Sequence, residues 1–171
     1  MIEHLPDRLD LLATAEVGRV LKGRLPLVQL PRILSALASS DGELDVEIEL
    51  GKDMAGFHFL AGKVQGEVAL DCQRCLHPVS LPLELQFHLG LVRDAEAASR
   101  LPGNYEPLVV TGEPASIADI VSDEVLLALP LVPLHVEDAR CKEFVKDYQP
   151  PESETRESPF AVLAELKQKE Q

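Results

Sequence analysis

The stretch Val79–Val92, VSLPLELQFHLGLV, places an apolar residue at every odd position: Val79, Leu81, Leu83, Leu85, Phe87, Leu89 and Leu91. A side-chain period of two belongs to an extended strand with one buried face, and a helix cannot hold such a stripe together. Pro82 falls on the opposite face and brings no N–H, so the strand is expected at a sheet edge or beside a bulge. Upstream, Glu43–Leu50 (ELDVEIEL) alternates as strictly. Leu44, Val46, Ile48 and Leu50 point one way, while Glu43, Asp45, Glu47 and Glu49 point the other. Between these strands, GFHFLAGKVQGEVALDC (56–72) reads as a hairpin that turns near Ala61 and Gly62, with Val64, Val68, Leu70 and Cys72 sharing a face of its second arm. The central third is therefore an antiparallel meander, and the fold class is α+β.

The flanks supply short helices. Arg8–Arg19 reads as one, followed by the extended VLKGRLPL; LPRILSALASSDG (30–42) reads as another, with Pro31 in its first turn. RDAEAASRLPGNYEP (93–107) suggests a polar helix and turn, and YEPLVV (105–110) a brief strand. The clearest helix is SIADIVSDEVLLALPL (116–131), capped by Ser116 and stopped by Pro130. Its inner face is expected to be Ile117, Ile120, Val121, Leu127 and Ala128, with Glu124 at the margin of the stripe or meeting a specific partner. Residues 1–136 then make one α+β domain. Residues 137–158 are charged, contain a Pro-Pro pair and read as a flexible acidic loop. Residues 159–171 read as a terminal amphipathic helix with Phe160, Leu163 and Leu166 on one side, suited to folding back or to docking on another protein.

Composition narrows the function. The chain has 171 residues, 46% of them hydrophobic, which is enough for a core. With 16 basic and 29 acidic residues the net charge is −13, the wrong sign for broad phosphate contact. A basic protein partner suits it better. Aromatics are 4% and tryptophan is absent, so a base-stacking platform is poorly supplied. The sequence has no apolar run of membrane-spanning length and no charged-then-apolar leader, and its three cysteines do not form a disulfide framework. A cytoplasmic protein with reduced thiols is expected, with no membrane role. Hydrolase elbows, phosphate loops, zinc-protease helices and dinucleotide fingerprints are missing as well, which favours a binding module over an enzyme.

Leu70–Pro78, LDCQRCLHP, carries the one motif with chemical content. Two cysteines two residues apart can turn both thiolates toward one point, the usual first half of a tetrahedral zinc site. The candidates for the second half are His135 and Cys141, at a wider spacing than usual, and His77. The redox reading is the weakest, because such pairs sit at a helix N-terminus. A tight turn between strands, with thiols packed as small apolar groups, is the reading that periodicity favours, and no bound cofactor is the leading expectation.

Four ordered blocks, LDCQRCLHP, LPGNYEPLVV, IVSDEVLLALPLVPLH followed closely by a cysteine, and SPFAVLAELK, resemble the large ribosomal RNA subunit accumulation protein (YceD) family. The likeness spans nearly the whole chain. It implies a cytoplasmic, non-enzymatic factor in synthesis, processing or stability of large-subunit (23S) ribosomal RNA. Relatives outside this branch pair the Cys-x-x-Cys with further cysteines in what looks like a complete zinc site. By position, Cys72 and Cys75 match the first pair, with His135 and Cys141 near the later one. Charge and resemblance together suggest an acidic adaptor for a basic ribosomal protein, processing enzyme or assembly factor, with weak or indirect RNA contact. The acidic face Glu43, Asp45, Glu47 and Glu49, the residues Phe160, Leu163 and Leu166, and Arg74 are the candidate contacts. The alternative is a direct RNA-binding module with a degenerate zinc-type turn and a basic patch of Arg74, Arg93 and Arg100.

Overall fold

The computed structural model describes residues 5–136 and Cys141. The compact unit that ends at His135 is built on a five-stranded sheet. Its strands are β2 (Arg19–Pro26), β3 (Glu43–Lys52), β4 (His58–Asp71), β5 (Pro78–Val92) and β6 (Glu106–Val109), in spatial order β2-β3-β4-β5-β6. The first four pair antiparallel as a meander, and β6 joins β5 in parallel over Leu89–Val92 only. A two-stranded ribbon pairs β1 (Arg8–Leu9) with β7 (Ala115–Ser116). Among the described residues of this unit the α-helices are α1 (Leu11–Val17), α2 (Ala95–Ala98) and α3 (Ile117–Ala128). The α+β class read from the sequence is the observed one.

Local chemistry sets the boundaries. Asp10 accepts from the Ala13 N–H at 3.0 Å and starts α1, which Gly18 ends at a φ of 72°. Ser116 caps α3 through the Asp119 N–H at 3.2 Å, as its position predicts. Leu44, Val46, Ile48 and Leu50 of β3 lie in the core with Leu60, Val64 and Val68 of β4, Leu83, Leu89 and Leu91 of β5, and Ile117, Val121 and Val125 of α3. Each such side chain contributes roughly 1.5–3 kcal/mol on burial. Among the described residues no helix is long and apolar enough to cross a membrane.

Three local expectations are corrected. No turn occurs at Ala61–Gly62: β4 runs unbroken from His58 to Asp71, and the turn lies at Asp53–Phe57. There Asp53 Oδ1 accepts from the N–H groups of Ala55 and Phe57, both at 2.9 Å. The glycine at 62 makes room for a ring, since a β-carbon there would intrude on Phe87 of the paired strand. The helix expected over 30–42 is replaced by two 3₁₀ turns, Leu27–Gln29 and Leu34–Ala36. Leu27, Leu30 and Ile33 are fully buried, and their spacing of three is the 3₁₀ period. On α3, Leu127 is 76% exposed and Ala128 is exposed, whereas Ser122 and Val125 are buried. The Ser122 hydroxyl donates to the Ala118 carbonyl at 2.6 Å, so its burial leaves no orphan. Glu124 is half-buried: burial, then the charges of Glu106 and Asp123, push its carboxyl pKa up. The expected loop 137–158 and helix 159–171 lie outside the described residues, apart from Cys141.

Gly62→Ala is expected to lose about 1–3 kcal/mol, because the Phe87 ring must leave its seat. Phe87→Leu in the same chain should restore most of it. Urea denaturation of both variants at unchanged slope checks this.

Candidate metal centre

The thiols stand in the turn between the longest strands, β4 and β5. Cys72 N–H donates to the His77 carbonyl at 3.0 Å and Leu76 N–H to the Cys72 carbonyl at 2.8 Å, closing a tight loop. Leu76 takes a φ of 59°, a left-handed conformation that costs a leucine about 1–2 kcal/mol and that the loop enforces. The returning chain after α3 lies alongside: Gln73 N–H donates to the Pro133 carbonyl at 2.9 Å. That contact delivers His135 to the turn. Its Nδ1 is 3.5 Å from Cys75 Sγ, and its Nε2 is 3.1 Å from the Pro78 carbonyl oxygen. A carbonyl only accepts, so the ring proton belongs on Nε2 and the Nδ1 lone pair faces the thiols.

Cys72, Cys75, His135 and Cys141 each bring one donor atom, and all four atoms lie within 4.8 Å of one another. The three thiols are buried. Burial of itself raises the Cys72 pKa, but hydrogen bonds led by the backbone N–H groups of Cys75, Arg74 and His135 overcome it and bring the thiol down from 9.0 to about 5. The turn thus favours a thiolate at neutral pH, the form that binds metal. Around a tetrahedral zinc ion, donors at about 2.0–2.3 Å from the metal stand roughly 3.5–4 Å apart, which the cluster meets with little movement. The Pro78 carbonyl on Nε2 is the outer partner that orients a metal-binding histidine. The donor set fits a metal.

Sequence spacing had ranked the thiols as small apolar groups above this reading. They are buried, as that reading requires, and they are also gathered on a histidine. The missing signal was the LPLVPLH segment, which brings Pro133 and His135 beside the turn. His77 is exposed and outside the cluster.

The other candidate residues are dispersed. Arg24 pairs with Glu43 at 2.6 Å and with Asp45 at 3.5 Å, and Lys22 pairs with Glu47 at 2.8 Å. The acidic face of β3 is largely matched by β2, and Glu49 alone of the four acids has no ion pair among the described residues. Arg74 lies in the thiol turn, where its backbone N–H serves Cys72. Arg93 and Arg100 line an open cleft of about 930 Å³ beyond the other end of β5. The whole of β5 separates them from Arg74, roughly 45–50 Å of extended chain, so the three arginines do not form one patch. Phe160, Leu163 and Leu166 lie outside the described residues.

In the metal-free, reduced protein, Cys72 adds stability that is full above about pH 9, where the unfolded thiol is also ionised. This shrinks as the pH falls and is gone below about pH 5, the folded value. The stability difference between the wild-type chain and Cys72→Ser should therefore grow from pH 5 to pH 9. A difference that stays flat in urea titrations across that range would rule out the buried thiolate.

Comparison with known proteins places this architecture. The family described as Large ribosomal RNA subunit accumulation protein YceD matches residues 60–167, a span that begins in β4 and includes the thiol turn, β5 and α3. The protein of that name from Haemophilus influenzae is 34% identical over 170 residues, covering 96% of this chain and 97% of the relative. No solved structure matches. The chain belongs to the YceD family of large ribosomal RNA subunit accumulation proteins.

Proposed function

We propose that this chain is a non-enzymatic cytoplasmic factor in the accumulation of large-subunit (23S) ribosomal RNA, acting as an acidic adaptor for a basic ribosomal or RNA-processing protein. The observation that carries the reading is near full-length likeness to the Haemophilus influenzae protein named for that role. The charge of −13 supports a protein partner over direct phosphate contact. Ion pairing across β2 and β3 removes most of the acidic strand face from that role, which directs attention to carboxylates elsewhere.

Zinc is the metal we propose for the thiol turn. Three thiolates and one imidazole make a closed tetrahedral set, and four protein donors leave no position for a substrate. Cys72, Cys75, His135 and Cys141 would hold the ion. It would supply cross-linking energy to the end of the β4–β5 hairpin, in keeping with a binding role.

Affinity capture of the tagged chain from cells, scored for ribosomal proteins, assembly factors and RNA, is expected to recover a basic protein that survives ribonuclease treatment. Submicromolar binding of purified large-subunit RNA with a steep negative salt dependence would overturn the adaptor role in favour of direct RNA contact. Elemental analysis of protein purified without chelator should give one zinc per chain. Cys75→Ser should lose the zinc and lower the unfolding midpoint, while metal-free wild-type protein from zinc-replete cells would refute the assignment.

A further inference from the structure

The strand β5 is paired on both sides only over its last residues. Its ladder with β6 begins at Leu89↔Glu106, whereas its ladder with β4 reaches Asp71↔Pro78. Pro82 sits inside that ladder opposite Glu67. A proline has no N–H, so its nitrogen belongs on the side away from β4. Val110 N–H donates to the Val92 carbonyl at 2.7 Å, on that same outer side. Both observations give one parity: even-numbered residues of β5 present their backbone outward, and odd-numbered residues bond to β4. Glu84 and Gln86, with the His88 N–H, therefore form an open edge between Pro82 and the start of β6. Among the described residues no strand covers it. Leu85 and Phe87 of the core-facing stripe are only half-buried there, although Leu83 and Leu89 on either side of them are buried.

Acids outnumber bases around this edge. Glu84 is 66% exposed, and its nearest cation, Lys63, is 3.9 Å away. Glu106 stands exposed where β6 starts, close enough to Glu124 for their charges to interact. An exposed edge is a template for strand addition unless it is guarded, and Pro82 guards only its own position.

We propose that the β5 edge from Pro82 to His88 receives an extended basic segment of a protein partner as an added strand. Its backbone bonds to Glu84, Gln86 and His88, and its apolar side chains cover Leu85 and Phe87 on one face. Its lysines or arginines meet Glu84 on the other, and a basic residue at the end nearest β6 meets Glu106 and Glu124. The inference rests on the adaptor reading and gives it a place and a binding mode.

Amide hydrogen exchange on the full chain tests it, with a short capped peptide alternating lysine and valine as the probe. In the free protein the amides of Glu84, Gln86 and His88 should exchange at least roughly tenfold faster than those of Leu83, Leu85 and Phe87, and the peptide should slow them by a similar factor. Gln86→Pro removes an outward N–H and no ladder bond, so it should keep the unfolding midpoint and lose the peptide. Should that variant misfold, Glu84→Lys is expected to turn preference toward a peptide alternating glutamate and valine. Edge amides already protected in the free chain, or no protection by the lysine peptide, would overturn the proposal, as would equal protection by both peptides. Capture of a basic ribosomal protein by Gln86→Pro as well as by the wild-type chain sinks the edge and leaves the adaptor role standing. Protection by the lysine peptide with no basic protein captured from cells does the reverse.

Discussion

The ladder between β4 and β5 is the constraint on which the rest depends. It runs without interruption from Phe59↔Gly90 to Asp71↔Pro78. A slip of one residue would turn the leucine stripe of β5 to water and the polar face inward, at a cost of several buried side chains. Its register therefore has one solution. That solution places the thiol turn at one end of the hairpin and the Asp53 turn near the other. There the Tyr105 hydroxyl donates to Asp53 Oδ2 at 2.9 Å and ties the chain after α2 to the sheet. The His88 ring lies between Phe59 and Tyr105, at centroid distances of 5.4 and 4.4 Å, and fastens the same region.

Period was legible in the sequence, and spatial return was not. Strict alternation located β3 and β5 to within a residue or two, and the Ser116 and Pro130 signals bracketed α3. The errors fell where one residue type serves two purposes. Glycine marks turns, but Gly62 and Gly66 lie within β4 where side chains from neighbouring strands, Phe87 and Leu44, need the space. Proline near a helix start suggested a helix at Leu30–Gly42, whereas a leucine and isoleucine spacing of three favoured 3₁₀ turns. The short β6 was visible as a strand, but its parallel placement depends on the crossover through α2, which no local pattern encodes. The metal candidate follows the same rule. Cys72 and Cys75 announce themselves by spacing, while His135 acquires meaning only from hydrogen bonds between residues some sixty positions apart, as Cys75 and His135 are.

Net charge proved a poor guide to local surface. The strand with the most regular acids, β3, faces bases on β2 at matching register: Lys22 opposite Glu47 and Arg24 opposite Asp45. Exposed pairs of this kind contribute little stability, typically under about 1 kcal/mol, but they neutralise a face and help to fix pairing. Glu106 and Glu124 instead lie close enough for their like charges to interact.

The ribbon of β1 with β7 has a consequence in time. Arg8 Nε donates to the Pro114 carbonyl at 3.1 Å across a sequence separation of 106 residues, and Ile117 N–H reaches back to the Asp7 carbonyl at 3.2 Å. During synthesis at about 5–20 residues per second, the first strand waits roughly 5–20 seconds for its partner. Throughout that interval Leu9 has no strand to pair with. The meander can form as it emerges, because its pairings are local. The ribbon of β1 with β7 therefore closes only after the meander, so its closure is set by translation before it is set by folding.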